Sequence, residues 1–154
     1  MVTFNKNKLN ATNKTENATI KTHTIMIVDD EPQQLSSLES LLCSDYYLIT
    51  AKDGLEALKL IEQMENREKI SLVISDQRMP GITGVELFER LLPLMPHCRR
   101  ILITGFNSIS EIKDNMEKAG IHEVIAKPFE PDSFMSRVRQ AIETFEQRTP
   151  STPG

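Results

Sequence analysis

Asp29 and Asp30 follow the run "TIMIV", Asp76 closes "ISLVIS", Thr104 closes "RRILI" and Lys127 closes "HEVIA". Taken singly, these residues say little. An Asp after a strand is most often a turn or cap residue, and Lys127-Pro128 alone reads as a surface turn. As a set they share one property: each ends an apolar run of strand length. In open α/β sheets the chemistry lies outside the carboxyl ends of the strands, so these side chains would meet on one rim. Two carboxylates about 4 Å apart repel by roughly 4 kcal/mol at an effective dielectric of about 20. Three of them need either a bound proton or a cation. An all-oxygen set at an open rim suits Mg²⁺, which binds through one or two carboxylates and keeps several waters. Lys127 adds a point charge and Thr104 a hydroxyl, both suited to phosphoryl oxygens. The combination is that of phosphoryl transfer onto a carboxylate.

The elements that must position these groups alternate along the chain. Strands are predicted at "TIMIVDD", "YYLITA", "ISLVISD", "RRILIT" and "HEVIA". Between them run amphipathic stretches of helix length. "PQQLSSLESLL" puts Leu35, Leu38, Leu41 and Leu42 on one face, with Pro32 in the first turn. "DGLEALKLIEQM" does the same with Leu55, Leu58, Ile61 and Met64. Capping-box spacing links Asp53 with Glu56, Thr83 with Glu86 and Ser108 with Glu111. "SISEIKDNMEKAG" reads as one helix carrying Ile109, Ile112 and Met116 and stopping at Gly120. The last helix, "PDSFMSRVRQAIETFEQ", turns Phe134, Val138, Ala141, Ile142 and Phe145 inward. Strict β/α alternation with near-continuous apolar strands predicts an α/β fold: a five-stranded, doubly wound parallel sheet with helices on both faces.

Composition bounds the rest. A chain of 154 residues is of single-domain length. The first 22 residues are rich in Asn, Thr and Lys and carry a net charge of +3, against −7 for the remainder. They read as a disordered arm; its sequons at Asn10, Asn13 and Asn17 follow from composition. Residues 23–147 read as the folded domain and 148–154 as a flexible tail. The acidic balance argues against a nucleic-acid surface. No apolar run approaches the ~20 residues of a membrane span, and no secretory signal is visible. Cys43 and Cys98 have no metal or redox spacing and read as reduced thiols in a cytoplasmic protein. His23, His97 and His122 show no partner spacing and read as surface or strand-edge residues.

Over residues 22–147 the sequence resembles the receiver domains of two-component response regulators, the CheY-like family. The matching residues are Asp29-Asp30 after "IMIV", Asp76 with Met79-Pro80 and Gly84, Thr104-Gly105, and Lys127-Pro128-Phe129. The resemblance implies a flavodoxin-like (βα)5 fold of strand order 2-1-3-4-5 and a cis Lys127–Pro128 bond. It implies that Asp76 is the phosphoacceptor, fed by a phosphohistidine on a sensor histidine kinase or a histidine phosphotransfer protein. It makes Asp30 a direct Mg²⁺ ligand, Asp29 a mostly water-mediated one, and the Arg78 backbone carbonyl another, beside Asp76 itself. Thr104 and Lys127 would hold phosphoryl oxygens. Phosphorylation would draw Thr104 inward and reshape the face of the fourth helix, fifth strand and fifth helix, where a downstream protein binds or a phosphorylation-dependent dimer forms. Neither an enzyme acting on other substrates nor a nucleic-acid or membrane partner is implied.

Two features tune that expectation. Receivers often carry Tyr or Phe three residues before the lysine; here Val124 stands there, too small to swing into the same pocket. Switching would then run through movement of residues 104–112. Arg78 and Phe106 occupy positions that, in the family, flank the path of the hydrolytic water. Both are large, which predicts slow loss of the phosphoryl group. Among other functions, haloacid-dehalogenase-type phosphatases use similar residues in a different order, with the nucleophile on the first strand. Flavin binding would need a phosphate-cradling loop where "DDEPQQ" stands. A phosphate-independent interaction module, or the receiver part of a larger regulator, are the readings that compete with a free-standing phosphoacceptor.

Overall fold

The computed structural model describes residues 20–148. The sequons and most of the expected arm, and the tail beyond Arg148, lie outside the described residues. Five strands alternate with helices: β1 (Thr24–Val28), α1 (Pro32–Leu42), β2 (Tyr47–Ala51), α2 (Gly54–Gln63), β3 (Ile70–Asp76), α3 (Gly84–Leu91), β4 (Arg99–Gly105), α4 (Ile109–Lys113), α5 (Met116–Ala119), β5 (Glu123–Lys127) and α6 (Pro131–Arg148). The sheet order is β2-β1-β3-β4-β5, and its four strand pairings are all parallel. Parallel strands all end on one side, so the predicted rim exists.

Alternation along the strands divides the core. Met26, Val28, Val73 and Leu102 pack against α2 and α3 through Ala57, Ile61, Leu87, Phe88 and Leu91. Ile25, Ile27, Leu72, Ile74, Ile101 and Ile103 pack against α1 and α6 through Leu38, Leu42, Phe134, Val138 and Ile142. β3 is buried at every position, as the middle strand of a sheet covered on both faces must be. Its apolar body holds the terminal Asp76 at a fixed height. Among the described residues, no helix is long and apolar enough to cross a membrane.

The structure departs from the sequence reading in three places. Leu55 is half exposed rather than turned into the core. It sits in the first turn of α2 at the rim, and its side chain lies under Gly81. The fourth predicted helix is two short pieces, α4 and α5, after a 3-10 turn at Phe106–Ser108. Ser108 has near-helical backbone angles and makes no side-chain cap; its hydroxyl instead accepts a hydrogen bond from Arg78 Nη2 at 3.2 Å. Asp53 does cap α2, accepting from the Glu56 amide at 2.8 Å. The Glu56 carboxylate, however, reaches the Lys52 amide rather than that of Asp53. Only Thr83 and Glu86 close a reciprocal box, at the start of α3. Gly120 takes the left-handed conformation, φ 67°, that ends α5.

Candidate functional site

The acidic pair enters the rim directly from β1. The Asp29 amide donates to Ala51 O at 3.1 Å, and Asp29 Oδ1 accepts from the Glu31 amide at 2.9 Å. Asp29 is thereby buried and fixed, while Asp30 stays exposed. Asp76 is buried at the end of β3, 6% exposed. One carboxylate oxygen from each of Asp29, Asp30 and Asp76 lies within 4.8 Å of the others. Lys127 Nζ reaches Asp76 Oδ1 at 2.5 Å. The peptide after Lys127 is cis, and beyond it Phe129 stacks on buried Phe134 with ring centroids 4.7 Å apart.

The loop after Asp76 is tied to its neighbours by Gln77. Its amide donates to Ile103 O, its carbonyl accepts from the Gly84 amide, and its side-chain oxygen accepts from the Val85 amide at 2.9 Å. Sequence reasoning did not single out Gln77, because its partner lies eight residues on, beyond any local spacing rule. Gly81 has φ 87°, a left-handed angle natural to glycine. Gly84 lets α3 start against the strand: a Cβ there would lie 2.5 Å from the Asp76 carbonyl oxygen and 2.5 Å from Leu102 Cδ1.

Thr104 is one residue past Ile103, the register partner of Asp76. Its hydroxyl is buried and has no hydrogen-bond partner among the described residues. An orphaned buried hydroxyl costs stability, so its presence at this rim points to a ligand oxygen. Val124 is half-buried on β5, and Phe106 projects into solvent, 75% exposed. Arg78 is exposed and bridges to Ser108, joining the loop after Asp76 to the loop after β4.

The electrostatics of the site suit a cation. Burial first, then the nearby Asp76 charge, pushes the Asp29 carboxyl up to about 6, against the pull of the Glu31 amide. Burial also raises Asp76, partly opposed by Lys127. Burial alone would lower Lys127, yet its contact with Asp76 outweighs that and raises it. The donors are all oxygen, the charge is in excess and a hydroxyl stands unused, which together fit Mg²⁺.

The sign of the pH effect follows. In Mg²⁺-free solution the folded state holds the Asp29 proton more tightly than the unfolded chain. No stability difference arises below the ordinary value of 3.8, where both forms are protonated. As pH rises, the cost grows and is complete above about 6, where it amounts to about 3 kcal/mol. Asp29→Asn is therefore expected to raise the unfolding temperature in EDTA near about pH 7.5 and to do so much less near about pH 4.5. Equal gains at both values would show that the carboxyl is not the cause.

The histidines are less idle than their spacing implied. His23 Nδ1 is 2.7 Å from Ser71 Oγ and its Nε2 is 2.6 Å from Glu146 Oε2. It therefore fastens β1, β3 and α6 at the edge opposite the rim. His122 Nδ1 accepts from the Arg100 amide at 3.0 Å. Cys43 is exposed, Cys98 is buried, and both are free.

Known proteins agree with this geometry. Residues 25–139 match the family model described as the response regulator receiver domain. Over 80% of its length the chain is 35% identical to the hydrogenase transcriptional regulatory protein HoxA of Cupriavidus necator, of which it covers 25%. The chain thus spans about a quarter of the length of the first curated relatives it matches. A solved response regulator receiver domain protein (CheY-like) from Methanospirillum hungatei superposes with a TM-score of 0.75 and 27% identity, over 84% of this chain and 100% of that one. The response regulator protein TrrA of Thermotoga maritima, solved in complex with Mg²⁺-BeF, gives a TM-score of 0.64 and 29% identity, over 77% and 98%.

Proposed function

Since the chain belongs to the family of response regulator receiver domains, the flavodoxin-like modules of two-component systems, we propose that Asp76 is its phosphoacceptor. The observation that carries this reading is the meeting of Asp29, Asp30 and Asp76 within 4.8 Å, with Lys127 on Asp76. An Asp76 carboxylate oxygen attacks the phosphorus of a phosphohistidine. The phosphorus–nitrogen bond breaks, and its electron pair leaves on the imidazole. Lys127 leaves the Asp76 carboxylate to hold one phosphoryl oxygen, and the unused Thr104 hydroxyl donates to another. Asp30, Asp29, Asp76 and the Arg78 backbone carbonyl would hold Mg²⁺. When bound, the ion would offset the clustered charge and polarise the phosphoryl group.

The donor is a sensor histidine kinase or a histidine phosphotransfer protein, and the protein works in the cytoplasm as a signalling module rather than as an enzyme on outside substrates. Neither nucleic acid nor membrane is a partner of residues 23–147. The output is a protein contact on the face of α4, α5, β5 and α6. With Val124 in place of an aromatic ring, that output runs through movement of residues 104–112. Thr104 moving inward would pull on Ser108, and so on its bond with Arg78.

The test is incubation with acetyl phosphate and weighing of the intact protein. A single phosphoryl adduct that forms with Mg²⁺ and not with EDTA is the expected result. A folded protein that takes no adduct and does not bind Mg²⁺ or beryllofluoride would support the phosphate-independent module instead. The adduct should also be long-lived. Arg78 and Phe106 narrow the approach of water, so Arg78→Asn and Phe106→Ala should each speed its loss several-fold. Unchanged decay in both would remove them from that role.

A further inference from the structure

At the edge of the sheet away from the rim, the starts of β4 and β5 and the middle of α6 enclose a cavity of about 190 Å³. Arg99, His122, Glu123, Gln140 and Thr144 give it its polar lining. Adjacent residues of a strand face opposite ways, and that separates Arg99 from Arg100. Arg100 is buried on the far face, where it donates to Gly120 O at 2.6 Å and to Met95 O at 3.1 Å. Arg99 has no such partner. Its Nε is buried and hydrogen-bonds to nothing among the described residues. The one carboxylate beside the cavity is taken: Glu123 pairs with Arg137 at 3.0 Å.

Two other lining groups are donors too, while the Thr144 hydroxyl already donates to Gln140 O at 2.9 Å. Because His122 Nδ1 accepts from the Arg100 amide, the proton of the neutral ring is on Nε2. The Gln140 amide is a further donor, one helical turn from Thr144. The charges that act on Arg99 and His122 come from Arg99, Arg100 and Arg148, and the one acid of the lining, Glu123, is offset by Arg137. Arg99 itself is half-buried, but an inward-turned Nε–H with no acceptor, beside like charges, is a costly arrangement that an anion would relieve.

We propose that this cavity is an anion site, built for a small oxyanion of the phosphate class, held by Arg99 with His122 and Gln140. It is separate from the acidic rim, whose carboxylates repel such a ligand when no metal is present. Occupancy would tie the start of β4 to α6, the helix that follows the Lys127 loop. The same neighbours explain why the His122 ring is held near 4, through burial and then the charges of Arg99, Arg100 and Arg148. A bound anion would move it back toward its ordinary range.

The experiment is a titration of the full chain with inorganic phosphate in EDTA, followed by NMR at the Arg99 Nε–H and the His122 ring. Chloride at matched ionic strength is the reference, and acetate a second arm. Saturable shifts with phosphate alone, and a rise in the His122 titration midpoint, are expected. Arg99→Gln should weaken binding by about tenfold or more. Gln140→Glu, on the helix surface, should abolish it by supplying a carboxylate of its own. Non-saturating shifts, equal shifts with chloride, or undiminished binding in both variants would overturn the site. Tighter binding of acetate would overturn the phosphate class.

Discussion

Asp76→Asn is expected to abolish the phosphoryl adduct completely while leaving the chain folded. The amide has the shape of the carboxylate but no anionic oxygen to attack phosphorus. It can still accept from Lys127, the one partner of the Asp76 side chain among the described residues. The fold should also tolerate the change, because Asp76 is buried and already raised by that burial. A neutral group there relieves repulsion with Asp29 and Asp30. Intact mass with acetyl phosphate and Mg²⁺ reads the first part, and thermal unfolding in EDTA reads the second. A Mg²⁺-dependent adduct that persists in the variant would move the acceptor to another carboxylate, with exposed Asp30 the first to examine.

The second large effect is structural. Gly84→Ala should lower stability by about 2–3 kcal/mol, or roughly 10 °C in unfolding temperature. An added Cβ would stand 2.5 Å from the Asp76 carbonyl oxygen and 2.5 Å from Leu102 Cδ1, with Gln77 Cα at 3.2 Å. Leucine can adjust, but a carbonyl inside the central strand cannot do so without moving Asp76. Adduct formation should therefore slow along with the loss of stability. Gly105→Ala is the control, since a Cβ there meets nothing within 4 Å. Equal destabilisation by both would show that close approach is not the cause.

The sheet and the rim were legible because they depend on patterns that sequence carries directly. Apolar runs of strand length marked β1 to β5, and a polar residue at the end of four of them marked the rim. What escaped detection depends on three dimensions. Ser108 has the spacing of a cap, yet Arg78 from another loop takes its hydroxyl, and the helix after it breaks in two. Leu55 fits a helical stripe, but the first turn of α2 reaches past the core to the rim. His23 lies 48 residues from Ser71 and 123 from Glu146, so no spacing rule could pair them. Arg99 and Arg100 look alike in sequence and differ only in the face of β4 they occupy.

The His23 fastening has a practical consequence for presenting the molecule. It gathers the start of β1 and the last turns of α6 at one end, with the five residues of β1, about 16 Å of strand, between that end and the acidic rim. A chip, bead or fluorophore attached beside His23 or in the last turn of α6 would therefore lie behind the molecule. The clustered carboxylates would face outward, so a binding signal from such a tethered sample would report on the rim without obstruction by the tether.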